Sequence, residues 1–362
     1  MLLVHICCSV DSHFFLQKLQ KLYPQKKLIG YFYDPNIHPF SEYQLRLFDV
    51  KRSCQKLGIE LIEGAYDYEG WMQAVRGLEN EPEKGKRCSV CFDDRLEKTA
   101  QKAIELGISE ITTTLLTSPK KSIEQLRMNA KSIEEKYALH VHTPDFRVGG
   151  GTSEQFALAK KDKLYHQNYC GCLFALESQR QNQQRLADEL MSALGRQILP
   201  SSIEERLKLY ESVLECEEKG KNFTLKREKF LNYRLLRAYV KDEKKEVIPS
   251  YFLFYSWLKR EHIKGSIELE EKGIGYLNKE EIVFVSLDKV NEVLQTRYKN
   301  VKELCLKALS VAQEISLRKK VIPSEFLTLN PIIIVDEIAL KKYEIYLKSV
   351  TYTDTREKLY IQ

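Results

Sequence analysis

The chain has 362 residues, 43% of them hydrophobic and 30% charged, with a formal net charge of +6. This is the composition of an ordinary globular protein, neither disordered nor fibrous, and the length suffices for two domains. No run of 18 apolar residues occurs, which excludes an apolar membrane-spanning helix, and the small basic surplus permits a nucleic-acid partner without pointing to one.

The opening segment, MLLVHICCSVDSH, lacks a basic n-region and a small-residue cleavage site. It reads as a buried strand rather than a signal peptide, and the expectation is a cytoplasmic protein with reduced thiols and no membrane partner. LLVHIC is the first strand. A helix follows in DSHFFLQKLQKLY, with Asp11 or Ser12 as N-cap. KLIGYFY is the second strand and ends at the turn signal Asp34-Pro35-Asn36. A helix from about Ser41 to Lys56 stops near Gly58. IELIEGAY is the third strand, and after Trp71 comes a polar loop, NEPEKGKRCSVC. The next helix runs to about Leu106 and is capped by Gly107. EITTTLL is a fourth strand, about Ile123 to Tyr137 a helix, and ALHVHTPDF a fifth strand. Strands alternating with helices predict an α/β fold, a doubly wound parallel sheet with helices on both faces.

Glu177 to Gly195 reads as a polar helix, and Leu199-Pro200-Ser201-Ser202 as a linker. The predicted division is therefore a catalytic α/β domain over 1–198 and an accessory domain over 199–362. The second part is expected to be an α+β appendage. Its helices are Ile203–Cys216, Lys226–Val240 and Asn300–Leu317, and its strands lie in IGYLN, EIVFVSL, IIIVDEIA and EKLYIQ. The stretch Lys221–Tyr239, with Arg227, Arg234 and Arg237, suits phosphate contacts and base stacking, so the appendage is expected to grip RNA or to mediate self-association.

Six of the nine cysteines form three tight pairs: Cys7-Cys8, Cys88-x2-Cys91 and Cys170-Gly171-Cys172. In a doubly wound sheet ligands bind beyond the carboxyl ends of the strands. Cys7 and Cys8 lie at that end of the first strand, Asp34 at that end of the second, and Thr117-Ser118-Pro119-Lys120 and Asp145-Phe146-Arg147 after the fourth and fifth. Thiolates select soft metals or iron–sulfur clusters, so three converging pairs suggest one metal or redox site. Taken singly, each pair also has a plain reading. Cys7-Cys8 can be a buried pair, Cys88-x2-Cys91 an inert pair or half a zinc site, and Cys170-x-Cys172 a coincidence of spacing at a helix start, against its functional readings as a strained small disulfide or a metal-binding pair. Cys54, Cys216 and Cys305 sit in apolar helical patterns and read as core. Asp11 is an N-cap, or a metal ligand or proton donor. His5, Tyr33 and Tyr169 are core residues, or respectively a partner of a cluster sulfur and base-stacking rings. Lys120 and Lys121 are a solvated helix start or a phosphate contact. Gly149-Gly150-Gly151-Thr152 is a flexible loop or a phosphate cradle without the usual lysine.

HICCSVD, YFYDPNIHPFSEYQLR, RCSVCFDDRL, TTTLLTSPKKS, DFR and YHQNYCGCLFAL occur in this order over residues 1–176. In these segments the chain resembles epoxyqueuosine reductases of the QueH type, the cobalamin-independent enzymes of queuosine synthesis. The resemblance implies an adenine-nucleotide hydrolase-like fold and an iron–sulfur oxidoreductase acting on epoxyqueuosine in the anticodon loop of tRNA. It places the ligands of a [4Fe–4S] cluster on Cys7, Cys8, Cys88 and Cys91, and a redox-active disulfide on Cys170 and Cys172. Two departures stand out. Many members read C-C-A-P where this chain has Ser9-Val10 after its cysteines, and some have a further cysteine where it has Asp11. A carboxylate there suits a second, mononuclear iron beside Asp11 and Cys170/Cys172. The resemblance does not extend over residues 200–362.

Converting a cyclopentane epoxide to an alkene takes two electrons and two protons and releases water, so a cofactor and an electron donor are implied. The epoxide oxygen needs polarising as its C–O bond breaks, and Asp11 and Tyr33 are the candidates to assist. Cys170 and Cys172 either cycle between dithiol and disulfide or hold the second iron. Two other readings compete: an iron–sulfur tRNA thiolation or desulfuration enzyme, and a zinc-stapled RNA-binding module.

Overall fold

A computed structural model of the chain describes every residue except Lys120, Glu280 and Ser324. The first half alternates strand and helix as expected: β1 (Leu2–Ile6), α1 (Ser9–Leu22), β2 (Leu28–Phe32), α2 (Phe40–Leu57), β3 (Glu60–Glu63), α3 (Tyr68–Ala74), α4 (Lys86–Glu105), β4 (Glu110–Thr113), α5 (Ile123–Tyr137), β5 (His140–Val141), α6 (Gly151–Lys161) and α7 (Leu173–Asn182). The strands pair in the order β3-β2-β1-β4-β5, all parallel. Side chains of β1 alternate between two cores, because successive residues of a strand face opposite ways. Leu2, Val4 and Ile6 pack with Phe15, Leu16 and Leu19 of α1 and Val50 and Cys54 of α2. Leu3 packs the other way, with Leu96, Ala100 and Ala103 of α4 and Ala130 and Ile133 of α5. With both faces covered by helices, the polar groups at the carboxyl ends of the strands remain open to a ligand.

Three local expectations are corrected. Neither Asp11 nor Ser12 caps α1. The helix begins at Ser9 after an extended Cys8, and Asp11 lies in its first turn, where an acidic group favours the helix dipole. Cys88 and Cys91 are on α4 itself rather than in a loop before it. The helix expected over 177–195 ends at Asn182.

After α7 come α8 (Ile203–Glu218), β6 (Phe223–Lys241), β7 (Val247–Ile248), β8 (Tyr251–Phe252), β9 (His262–Glu271), β10 (Ile274–Leu277), β11 (Val283–Ser286), α9 (Leu287–Leu294), α10 (Val301–Leu306), α11 (Val311–Val321), β12 (Ile332–Val335) and β13 (Lys342–Ile361). The strands form one eight-stranded sheet, β7-β6-β13-β9-β10-β11-β12-β8. Lys226–Val240 is thus a strand and not a helix. Its basic residues recur at helical spacing, but Val240 and, in part, Leu235 and Ala238 are packed in a core with Ile263, Phe284 and Ile345. Asn300–Leu317 is two helices, interrupted before Ser310, whose side chain and Gln313 form a capping box that starts α11.

The chain separates into two compact units: Met1–Glu189 with Leu207–Leu225 and Ile361–Gln362, and Leu190–Arg206 with Lys226–Tyr360. A single cut at Leu199 does not describe this division, because most of α8 belongs to the first unit. There Tyr210 meets the Tyr165 ring edge-on at 5.5 Å, and Glu217 pairs with the buried Arg52 at 2.7 Å. Among the described residues no helix is long and apolar enough to cross a membrane.

Candidate functional site

Cys7 and Cys8 stand where β1 stops and α1 starts. Thr114, just past β4, accepts from the Cys7 backbone N–H at 3.2 Å. The two sulfurs are 3.9 Å apart, and Asp11 Oδ2 is 3.7 Å from Cys7 Sγ. One ligand atom from each of Cys7, Cys8 and Asp11 lies within 4.8 Å of the other two, the spacing of a metal-binding trio. Asp11 is buried, and its Oδ1 accepts from Gln155 Nε2 of α6 at 2.7 Å. Burial pushes this carboxyl up, and the Cys7 contact followed by burial pushes the Cys8 thiol up. The glycine run at 149–151 leads into α6, with Gly150 as its N-cap, and so positions Gln155.

Cys88 and Cys91 are three apart on α4 and therefore share one face. Cys88 packs against the same core cluster as Cys7, and its sulfur accepts from the Lys84 backbone N–H at 3.3 Å. Cys91 is buried with Trp71, Cys170 and Cys172 in a separate cluster. Burial raises its thiol, with Arg95 pulling the other way. The Trp71 indole N–H lies toward Cys91 and has no nitrogen or oxygen acceptor.

The third pair is bound to the first unit by α2. Arg46 reaches the backbone carbonyls of Cys170 (3.1 Å) and Tyr169 (3.0 Å), and its Nε pairs with Glu42 at 2.7 Å. Gly171 has φ +104°, and a Cβ there would sit 3.0 Å from Ile37 Cγ1 and 3.1 Å from Arg46 Nη1, so the residue between the cysteines has to be glycine. All nine cysteines are free thiols, Cys170 and Cys172 included. The two thiols are shifted in opposite directions. Burial opposes ionisation of Cys170, but Lys121 Nζ at 2.7 Å, with Arg95 and Arg46, holds its thiol below the usual range. Burial, and then the neighbouring Cys170, pushes Cys172 up to about 12.

Arg95 and Lys121 tie the pairs together. Arg95 is in electrostatic reach of Cys91, Cys170 and Cys7, and Lys121 of Cys170 and Cys88. Both line a cavity of about 90 Å³ with Cys7, Cys8, Asp11, Asp34, Tyr169 and Cys170. The sequence placed Asp34 at this edge without a role, and it did not single out Arg95 or Arg46. Arg95 carried a usable signal, since it is four residues after Cys91 and thus on the same helix face.

The remaining candidates are held by contacts of their own. The Tyr33 ring stacks on Tyr31 in the core and is not among the residues lining the cavity. Tyr169 is buried, with its hydroxyl on the His38 carbonyl at 2.7 Å. His5 is fixed by Thr113 Oγ1 (2.8 Å) and the Tyr33 carbonyl (3.0 Å). Because a carbonyl only accepts, His5 Nε2 carries the proton, and burial lowers the ring's pKa to about 3, which keeps it neutral. Lys120 lies outside the described residues.

Arg46→Ala would leave the Glu42 carboxylate, 0% exposed, without its cation. The expected cost is about 3–5 kcal/mol, read as a fall in the midpoint of chemical denaturation.

Residues 2–178 match the family model described as epoxyqueuosine reductase QueH. An epoxyqueuosine reductase QueH of Helicobacter pylori is 40% identical over 365 residues, covering 96% of this chain and 97% of that protein. One from Histophilus somni is 37% identical over 176 residues, which covers 48% of this chain and 72% of its own length. Among solved structures, the U34-tRNA thiolase NcsA from Methanococcus maripaludis with its [4Fe–4S] cluster covers 59% of this chain at 16% identity, with a TM-score of 0.34. The shorter relative matches about half the chain, whereas the Helicobacter pylori protein is matched along both units. A near full-length match at that identity, on a fold that brings Cys7, Cys88, Cys91 and Cys170, at least one member of each pair, within reach of Arg95 or Lys121, means that the chain belongs to the epoxyqueuosine reductase QueH family.

Proposed function

We propose that this protein is an iron–sulfur epoxyqueuosine reductase, which reduces epoxyqueuosine in the anticodon loop of tRNA to queuosine. The observation that carries this reading is that members of all three cysteine pairs lie within reach of the buried Arg95 and the half-buried Lys121, beyond the carboxyl ends of the strands. The donor set fits a [4Fe–4S] cluster held by Cys7, Cys8, Cys88 and Cys91. Four thiolates need positive charge nearby, which Arg95 and Lys121 supply, and the Trp71 N–H beside Cys91 is free to bond to sulfur. Asp11, whose carboxylate reaches within 3.7 Å of Cys7 Sγ, is the oxygen donor nearest that cluster, and with Cys170 on the same cavity it would serve a second, mononuclear iron. When bound, the cluster supplies single electrons at low potential.

The remaining work falls to side chains. The charged groups Arg95 and Lys121 point donors at the cavity, where negative charge develops on the epoxide oxygen as its C–O bond breaks. Cys170 as thiolate and Cys172 as thiol form a disulfide with loss of two electrons and one proton. Lys121 loses its counter-charge when Cys170 is oxidised, so its ammonium becomes the source of the second proton. The epoxide takes up both electrons and both protons and leaves as alkene and water, and an external electron donor then restores the dithiol.

The second unit gives the reading a face for RNA. Arg237 on β6 is exposed, 5.5 Å from the Tyr239 ring and 5.4 Å from the Tyr346 ring, which stack on each other at 5.2 Å. It has no carboxylate partner among the described residues. Arg234 is buried against the Pro200 carbonyl and Arg227 pairs with Glu357, so Arg237 is the arginine of this strand suited to stacking and phosphate contact. Truncation at Pro200 would also remove first-unit residues such as Glu217, so point substitutions are the cleaner test. Arg237→Ala with Tyr346→Ala should raise KM for tRNA about tenfold, with kcat and iron content unchanged and a shallower dependence on salt.

The function is tested by deleting the gene and analysing tRNA nucleosides. Epoxyqueuosine should accumulate and disappear on complementation. Loss of a thiolated nucleoside, with queuosine intact, would replace this reading with thiolation.

A further inference from the structure

The cavity is lined by five Asp, Arg and Lys side chains, and three of them have their polar contacts accounted for. Asp11 contacts Gln155 and Cys7, Arg46 holds Glu42 and two carbonyls, and Lys121 holds Cys170. The other two face each other. Asp34, 1% exposed, accepts at Oδ1 from Arg95 Nη1 at 2.8 Å, and Arg95 Nε donates to the Cys91 carbonyl at 3.1 Å. Asp34 Oδ2 and Arg95 Nη2 are both buried and have no partner. Nearby His5 cannot serve Oδ2, because its one N–H is spent on the Tyr33 carbonyl. A buried charged group left short of a hydrogen bond costs stability and signals a missing ligand.

We propose that Asp34 and Arg95 form a polar clamp for two neighbouring oxygens on the substrate's ring. Oδ2 accepts from a ring hydroxyl, and Nη2 donates to the epoxide oxygen beside it. The pairing matches the chemistry of each atom: a carboxylate oxygen requires a donor, which a hydroxyl is, and an N–H requires an acceptor, which is all an epoxide oxygen can be. The joined Asp34–Arg95 pair presents one acceptor and one donor side by side, the complement of a cyclopentane ring with hydroxyls next to its epoxide. This inference rests on the reading of the chain as an epoxyqueuosine reductase and names the residues by which that site would know its substrate. Arg95 would also be the group that polarises the bond being broken.

The test uses the full-length, cluster-loaded protein and three forms of one tRNA, bearing epoxyqueuosine, queuosine or unmodified guanosine at the same position. Asp34→Asn keeps the shape and the bond from Arg95 but presents N–H where Oδ2 was. It should bind both hydroxyl-bearing forms roughly ten- to a hundredfold more weakly, with affinity for the guanosine form and iron content unchanged. Arg95→Lys removes Nη2 and should weaken binding of the epoxide form more than that of the queuosine form, which has no epoxide oxygen. Should Asp34→Asn prove unstable, the Arg95→Lys ratio decides. If both variants keep the wild-type ratios among the three tRNAs, buried water completes the pair and the clamp is overturned. If the wild-type protein neither prefers nor reduces the epoxide form, the functional reading falls and the clamp with it.

Discussion

Cys91→Ala should yield a protein that has lost its iron and acid-labile sulfide and all reductase activity, and Cys88→Ala should do the same. Both sulfurs project from one face of α4, and Cys91 is buried beside Arg95. Removing it deletes one of the four sulfurs of the proposed ligand set and takes from Arg95 its strongest sulfur partner. The control is Cys54→Ala. Cys54 packs under the sheet, burial pushes its thiol up to about 12, and it does not line the cavity. That variant should cost about 1 kcal/mol of stability and retain full iron and turnover. Metal analysis with visible absorbance on anaerobically purified protein separates the outcomes. Full iron and sulfide in both Cys88→Ala and Cys91→Ala would remove the pair from the ligand set.

Cys172→Ser should retain the cluster and lose turnover. The reason is the asymmetry across Gly171: Lys121 holds the Cys170 thiol below the usual range, which favours its thiolate, while burial pushes Cys172 up to about 12. A dithiol so poised gives up two electrons on closing to a disulfide, and serine cannot. Activity should fall at least a thousandfold, with four irons still present and the thermal midpoint unchanged, because the exchange of sulfur for oxygen is nearly isosteric. Loss of all iron in Cys172→Ser would instead make this pair part of the primary ligand shell. Gly171→Ala should resemble Cys172→Ser in activity, since its φ and the crowding by Ile37 and Arg46 force the cysteines apart.

Much of the first unit was legible because its signals are local. The apolar run of β1, the helical spacing of α2 with Gly58 behind it, the end of α4 before Gly107 and the position of α5 all follow from residues a few places apart. So did the placing of Cys7, Cys8 and Asp34 at strand ends, since a parallel sheet with helices on both faces has one such edge. The start of α1 was misplaced because an extended Cys8 begins it without a side-chain cap, and caps were the signal sought.

The rest depended on partners distant in sequence. β6 has lysines and arginines at helical intervals. What makes it a strand is a sheet neighbour, β13, reached by contacts such as Asn232 to Asp354 across 122 residues, and no local pattern carries that information. α8 joins the first unit through Tyr210 and Glu217, though it follows the apparent linker. The cysteine pairs could be counted in the sequence, but not the charges that set their chemistry. Lys121 meets Cys170 across 49 residues, and Arg95 meets Asp34 across 61. The alternation of strands and helices follows from short-range pattern; the order of the strands in the sheet, which cation faces which thiol, and which polar atom is left without a partner follow only from how the packed elements bring those groups together.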